Sequence, residues 1–105
     1  MKDPRIHRLA CTLVKYCIKA RAEQSIAVNG TSESEPLIVA VYEELIKAGA
    51  YPMIRMAPAG VSEVLYKHGK AHHFDNITPL QRAYARLIDG AIHIDGSPNT
   101  RALSN

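Results

Sequence analysis

The pattern of apolar and polar residues predicts a βαβ unit in the first half of the chain. A short apolar run, Ser25–Val28, leads through a polar loop into an apolar helix, Leu37–Ala48, and a second short run, Tyr51–Met56, follows. We expect the two runs to be neighbouring parallel strands joined by a right-handed crossover. Because Pro52 has no backbone N–H to donate to a neighbouring strand, the second strand is expected at a sheet edge.

An amphipathic helix is predicted at the start of the chain. Asp3 and Pro4 are typical of an N-cap followed by proline in the first turn. Apolar residues then recur with the helical period at Ile6, Leu9, Ala10, Leu13, Val14, Cys17 and Ile18. The opposite face carries a stripe formed by Arg5, Arg8, Thr12, Lys15 and Lys19. The stripe could bind nucleic acid or an anionic membrane surface, but no aromatic or glycine-rich element accompanies it. We interpret it as the solvated face of a packed helix and expect neither partner.

Two shorter helices are predicted after the second strand. The first begins at Val61, after a turn at Pro58 and Gly60. The second begins at Thr78, which has the capping-box spacing to Gln81. The apolar residues of this second helix are expected to be buried: Leu80, Ala83, Tyr84, Leu87 and Ile88.

A third strand, Ala91–Ile94, completes the predicted sheet. Beyond it Asn99–Leu103 begins another helix that the sequence does not complete, so we expect residues 1–105 to be a fragment of a longer chain. The predicted fold class is a single open three-layer α/β domain. Its small, mostly parallel sheet has the strand order 2-1-3, with helices on both faces.

The composition agrees with one globular domain. Of the 105 residues, 47% are hydrophobic and 22% are charged, which is too apolar for a disordered chain. No apolar run approaches the roughly 18 residues that a membrane span needs, and the first residues carry no signal-peptide pattern. A cytoplasmic location is therefore expected.

The two cysteines are predicted to be reduced. Cys11 and Cys17 lie six residues apart in one predicted helix, which separates them by about 9 Å along the axis and about 240° around it. The separation exceeds the roughly 7 Å that a disulfide can bridge. We expect both side chains to pack as small apolar groups.

Two candidate ligand motifs are interpreted as structural. The loop after the first strand has a single glycine, Gly30, and Glu33 and Glu35 occupy the positive end of the next helix, so we do not expect it to bind a mononucleotide. Ser32 and Glu35 instead give a predicted capping box. His68, His72 and His73 are interpreted as a histidine-rich surface loop. His68 and His72 have the i, i+4 spacing of a helical metal-binding pair, but Gly69 lies between them and no nearby cysteine completes a metal site.

A small ligand, if one binds, is expected at the carboxyl ends of the strands. With the order 2-1-3, the topological switch point lies between the first and third strands. Two loops would face one another there, and they contain Asn29, Gly30, Thr31, Asp95, Gly96 and Ser97. A free-standing ligand-binding or interaction module is accordingly the alternative interpretation of the chain.

Five short segments, spread over nearly the whole chain, match the pattern of a known family. They are Asp3–Ile6 with the apolar positions that follow it, Gly30-Thr31, Glu35–Leu37, Ala48–Pro52 and Asn99–Leu103. In these segments the chain resembles the thermophilic-type dinuclear metallo-aminopeptidases, the leucyl aminopeptidase and aminopeptidase T group. A dihydroxypyridine dioxygenase of the same superfamily would look similar over this region.

The resemblance implies a parent enzyme that hydrolyses N-terminal amino acids from peptides with two divalent metal ions, zinc, cobalt or manganese. The family holds these metals on Glu, His and Asp residues of a C-terminal catalytic domain. The resemblance therefore assigns no catalytic, cofactor-binding or metal-binding residue to this chain. It implies an inactive N-terminal domain whose partner is the catalytic domain.

Self-association as a homodimer is expected of the isolated chain. The predicted edge strand carries Met53, Ile54 and Met56, and the apolar arc of the helix Leu37–Ala48 is wider than one sheet face requires. An uncovered edge strand is a template for pairing with another chain, and a two-fold dimer is the simplest closed assembly.

Overall fold

The computed structural model describes residues 3–94, which form an open α/β domain. The strands are β1 (Ser25–Thr31), β2 (Tyr51–Ala57) and β3 (Gly90–His93). They form one sheet in the order β2-β1-β3, and both pairings are parallel. The predicted topology and the edge position of the strand that contains Pro52 are confirmed. The helix predicted at Asn99–Leu103 lies outside the described residues.

The described part of the chain also contains five α-helices. They are α1 (Pro4–Cys11), α2 (Glu35–Lys47), α3 (Val61–His68), α4 (Ala71–Asp75) and α5 (Pro79–Leu87). Within residues 3–94, none of the helices is both long enough and apolar enough to span a bilayer.

The main hydrophobic core lies between β1 and the pair α1 and α2. Ile26 and Val28 point to this face of the sheet, and their side chains are at most 1% exposed. They share a cluster with buried side chains of the two helices and of the sheet edges: Ala10, Val14, Leu37, Ile38, Val41, Leu45, Ala50, Ile92 and Ile94. α1 and α2 therefore cover one face of the sheet together.

Gly30 allows α2 to approach β1 closely. A Cβ atom at this position would lie 2.8 Å from Cδ1 of Ile38, which is nearer than two carbon atoms can pack. Gly49 ends the helix in the left-handed conformation, with φ of +84°. Gly30 is explained by the close packing of α2 against β1, and Gly49 by the left-handed turn at the end of α2.

The first helix differs from the prediction in its second half. α1 begins as predicted, with the backbone N–H of Arg5 donating to the Asp3 carboxylate at 2.9 Å. From Thr12 to Cys17, however, the chain forms a π-helix. A π turn holds more residues than an α turn, so the last residues of the segment leave the predicted apolar face. The prediction that both cysteines pack is therefore wrong for Cys17, which is exposed, whereas Cys11 is half-buried and both thiols are free.

The entry into α2 also differs from the prediction. Ser32–Ser34 forms a 3₁₀ turn, and α2 begins at Glu35 with Ser34 as its N-cap and no side-chain cap bond. Because the tighter turn carries the chain into the helix, Ser32 is not the N-cap. The predicted capping box of Ser32 with Glu35 does not form.

The segment from α3 to α5 is helical but packs little against the rest of the domain. None of these three helices contains a buried residue. The capping box of Thr78 with Gln81 is present as predicted. The predicted burial of α5 is wrong, because Leu80 and Leu87 are 80% and 69% exposed and Ala83, Tyr84 and Ile88 are only partly buried. An apolar pattern identifies the face of a helix but not the element that covers it.

The packing of α2 predicts the effect of truncating one core side chain. Leu45 is fully buried, whereas Leu80 on α5 is exposed. We expect Leu45→Ala to lower the free energy of unfolding by about 2–5 kcal/mol, because it leaves a cavity. The matched control Leu80→Ala should change it by less than about 0.5 kcal/mol. Urea unfolding followed by circular dichroism measures both values, and equal effects would contradict this assignment of the core.

Candidate functional site

Polar side chains of the three strands come together near the carboxyl end of the sheet. Asn29 is in register with Arg55 of β2 and with His93 of β3, and its Nδ2 lies 3.4 Å from Nδ1 of His93. We call these three residues the carboxyl-edge row. Because side chains alternate along a strand, and Ile26 and Val28 face α1 and α2, the row lies on the opposite face.

A side-chain contact joins α5 to this second face of the sheet. The guanidinium carbon of Arg55 is 4.1 Å from the centre of the Tyr84 ring, which is within the range of a cation–π contact. Beside it lies a shallow depression of about 430 Å³ lined by Asn29, Gly30, Arg55, Met56 and Ala57. The row therefore borders a surface that a small polar ligand could reach.

The residues predicted to form the ligand crevice are only partly placed by the structure. Asn29, Gly30 and Thr31 end β1, whereas Asp95, Gly96 and Ser97 lie outside the described residues. Gly30 faces the core beside Ile38. Thr31 buries its hydroxyl oxygen without a hydrogen-bond partner among the described residues. Of these three residues, Asn29 alone joins the carboxyl-edge row.

A second polar group lies between α1 and α2. His7 and Cys11 are one helical turn apart on α1, and Sγ of Cys11 is 3.6 Å from Nε2 of His7. Glu44 of α2 faces them, with its Oε2 3.7 Å from Nδ1 of His7. We call these three residues the helix-interface group. One potential metal-ligand atom from each residue lies within 4.8 Å of the other two.

Glu44 is a nearly buried carboxylate with polar partners on both helices. Its side chain is 3% exposed, and Nζ of Lys47 lies 3.4 Å from Oε2. Burial alone would raise the pKa of Glu44, but hydrogen bonds from Cys11 and Lys47 and the charges of Lys47 and His7 outweigh it. The pKa of Glu44 is therefore lowered from its ordinary value. The carboxylate is ionised at neutral pH.

The pKa values of two partners of Glu44, Cys11 and Lys47, are raised. Burial, followed by the hydrogen bond to Glu44 and its negative charge, raises the pKa of the Cys11 thiol. Hydrogen bonds to Glu43 and Glu44 raise the pKa of Lys47. Nζ of Lys47 also lies 3.3 Å from Oε2 of Glu43. Cys11 is thus a thiol that donates to Glu44, and Lys47 is a cation shared by two carboxylates.

The histidine-rich segment is more ordered than predicted. His68 ends α3, and His72 and His73 lie in α4, so the predicted loop is partly helical. Nδ1 of His73 accepts a hydrogen bond of 2.8 Å from the backbone N–H of Lys70 and so caps α4. Among residues 3–94, the three histidines do not join a group of three metal-ligating side chains, whereas His7, Cys11 and Glu44 do.

The helix-interface group does not fit the two-metal centre that the resemblance implies. A two-metal site uses carboxylates that bridge the ions and further oxygen or nitrogen ligands. The group offers one carboxylate, one imidazole and one thiol, which is too few for two ions. No step of a two-metal hydrolysis can therefore be assigned to it.

The family model of the thermophilic metalloproteases (M29) matches residues 2–105. This match covers almost the entire sequence and agrees with the resemblance seen in its short segments. No curated protein matches the chain.

The lowered pKa of Glu44 predicts an acid-sensitive contribution to stability. Folding favours the ionised form, so this contribution is complete above the ordinary pKa of 4.5 and is lost as the pH falls through the lower pKa of the folded state. We expect the free energy of unfolding to fall below about pH 5, and Glu44→Gln should flatten this part of the profile. Urea unfolding at a series of pH values measures both profiles.

Glu63→Gln is the matched control, because Glu63 is exposed on α3. This variant should keep the wild-type profile. A Glu44→Gln profile as steep as that of the wild type would show that another carboxylate is responsible.

Proposed function

The chain belongs to the thermophilic metalloprotease (M29) family, and we propose that it forms the non-catalytic N-terminal domain of a metal-dependent aminopeptidase. The parent enzyme hydrolyses N-terminal amino acids from peptides. The family match supports a metallopeptidase, and the resemblance of the sequence to the leucyl aminopeptidase and aminopeptidase T group supports the aminopeptidase. This 105-residue chain supplies an α/β scaffold next to the catalytic domain.

Exposed apolar side chains support the proposal that this domain packs against another domain. β2 and the segment from α3 to α5 expose large apolar side chains: Met53, Ile54, Met56, Val61, Val64, Leu65, Tyr66, Phe74, Ile77, Leu80 and Leu87. We call these residues the apolar surface. Monomers rarely leave so many apolar groups in contact with water. The partner that covers them is the C-terminal catalytic domain of the same protein.

The catalytic metals belong to that partner in this proposal. Two divalent ions, zinc, cobalt or manganese, would activate the attacking water and stabilise the charge that develops on the substrate oxygen. The helix-interface group does not fit such a pair, and the resemblance implies that their ligands lie in the C-terminal domain. The two free thiols agree with the reducing cytoplasm as the location of the protein.

The carboxyl-edge row favours a second candidate function, a ligand-binding module. Asn29, Arg55 and His93 present an amide, a guanidinium and an imidazole beside one depression, and these groups suit an anionic ligand. The parent reading frame distinguishes the candidates. A reading frame that continues and encodes glutamate and histidine metal ligands favours the peptidase. If the parent is instead the related ring-cleaving dioxygenase, its activity on dihydroxypyridine identifies it.

Because the proposal places catalysis in another domain, we expect the 105-residue chain to be inactive by itself. We expect no release of nitroaniline from leucyl-para-nitroanilide with added zinc, cobalt or manganese, relative to a chelator-treated blank. The full-length protein should release it in a metal-dependent reaction. Activity of the short chain that is abolished by substituting His68 and His72 would disprove the non-catalytic role and our interpretation of these histidines.

The apolar surface also predicts that the isolated chain forms a dimer. Ile54 lies on the edge strand and is 43% exposed, so Ile54→Lys should weaken an association that uses this edge. The matched control Val39→Lys changes an exposed residue of α2, which is 57% exposed and lies away from β2. Light scattering coupled to size exclusion gives the mass at increasing concentration. A mass that stays monomeric would argue against the dimer, and an unaffected dimer in Ile54→Lys would exclude the edge strand.

A further inference from the structure

We propose that the helix-interface group, His7, Cys11 and Glu44, binds one zinc ion that links α1 to α2. The inference goes beyond the proposed function, which assigns no metal to these three residues. The site is built entirely from residues that the structure describes, and its ligands come from two helices that already pack together.

The donor atoms of the group suit zinc. Imidazole nitrogen, thiolate sulfur and carboxylate oxygen are the three ligand types that zinc accepts in proteins. A thiolate selects against the hard cations magnesium and calcium, which prefer oxygen ligands alone. The mixed set therefore favours a soft divalent ion.

One donor pair of the group has the separation expected in a tetrahedral site. Zinc–sulfur and zinc–nitrogen bonds of about 2.3 and 2.0 Å at tetrahedral angles place sulfur and nitrogen about 3.5 Å apart. The observed separation of Cys11 Sγ and His7 Nε2 is 3.6 Å. Glu44 Oε2 lies 3.7 Å from Nδ1, the other ring nitrogen of His7, so the three residues hold one ion only after the His7 ring reorients.

Zinc binding would balance the charges of the group. The ion replaces the thiol proton of Cys11, which leaves to solvent, and the thiolate and the Glu44 carboxylate together neutralise the two positive charges. Lys47 keeps its contact with Glu43 at 3.3 Å when it gives up Glu44. The result is a neutral cluster in which zinc replaces Lys47 as the positive charge beside the Glu44 carboxylate.

A depression with acidic walls lies beside the helix-interface group. His7 lines a depression of about 730 Å³ that also contains the acidic residues Asp3, Glu35 and Glu43. Acidic walls raise the local concentration of cations. The π-helix begins directly after Cys11, and such segments are often found at functional sites.

Titration of the chain with Co²⁺ tests the site, because a thiolate ligand produces a sulfur-to-cobalt charge-transfer band in the near ultraviolet. We expect a band that saturates at one ion per chain and disappears when zinc displaces the cobalt. Cys11→Ser should abolish the band, and His7→Gln should weaken binding roughly tenfold or more. The matched control Cys17→Ser removes the exposed thiol of the same region and should keep the full band.

Absence of the band in the wild type, or its loss in Cys17→Ser instead of Cys11→Ser, would overturn the proposal. The changed ligands Cys11 and His7 are only partly buried, so their variants should fold even if a Glu44 variant does not. Zinc should also raise the melting temperature of the wild type and of Cys17→Ser but not of Cys11→Ser. The catalytic metals implied for the family have no thiolate ligand, so this result is independent of whether the parent enzyme is an aminopeptidase.

Discussion

Burial of β1 on both faces is the constraint on which the rest of the fold depends. Ile26, Ala27 and Val28 are at most 1% exposed, and their backbone groups are paired with β2 on one side and β3 on the other. A strand in this position has no room for a polar side chain until it reaches its last residues. Asn29 is the first polar residue after the buried run, and this is why the carboxyl-edge row forms where it does.

The sheet could be predicted from the sequence because the signals for it are local. The lengths of the apolar runs, the helix between them and Pro52 were sufficient to derive a parallel sheet with β2 at an edge. The burial of α5 was not predictable in the same way. Its apolar spacing resembles that of a core helix, yet Leu80 and Leu87 are exposed, because amphipathicity indicates that a face needs a cover without specifying which element provides it.

The candidate sites depend on contacts between elements, which the sequence does not contain. Asn29 could be proposed from the strand order alone. Arg55 and His93 could not, because their place beside Asn29 depends on the register of two strand pairs. His7 and Cys11 have the i, i+4 spacing of residues on one helical face. Only the packing of α2 against α1 brings Glu44 to them.

The two faces of the sheet are suited to different tasks. The face under α1 and α2 is closed by a continuous core, and the polar helix-interface group lies where those two helices meet. On the other face, the contact of Arg55 with Tyr84 joins β2 to an otherwise exposed α5. α5 contains no buried residue, so this face is covered less completely than the face under α1 and α2. A zinc ion between α1 and α2 would strengthen the closed face and leave the contact of Arg55 with Tyr84 unchanged.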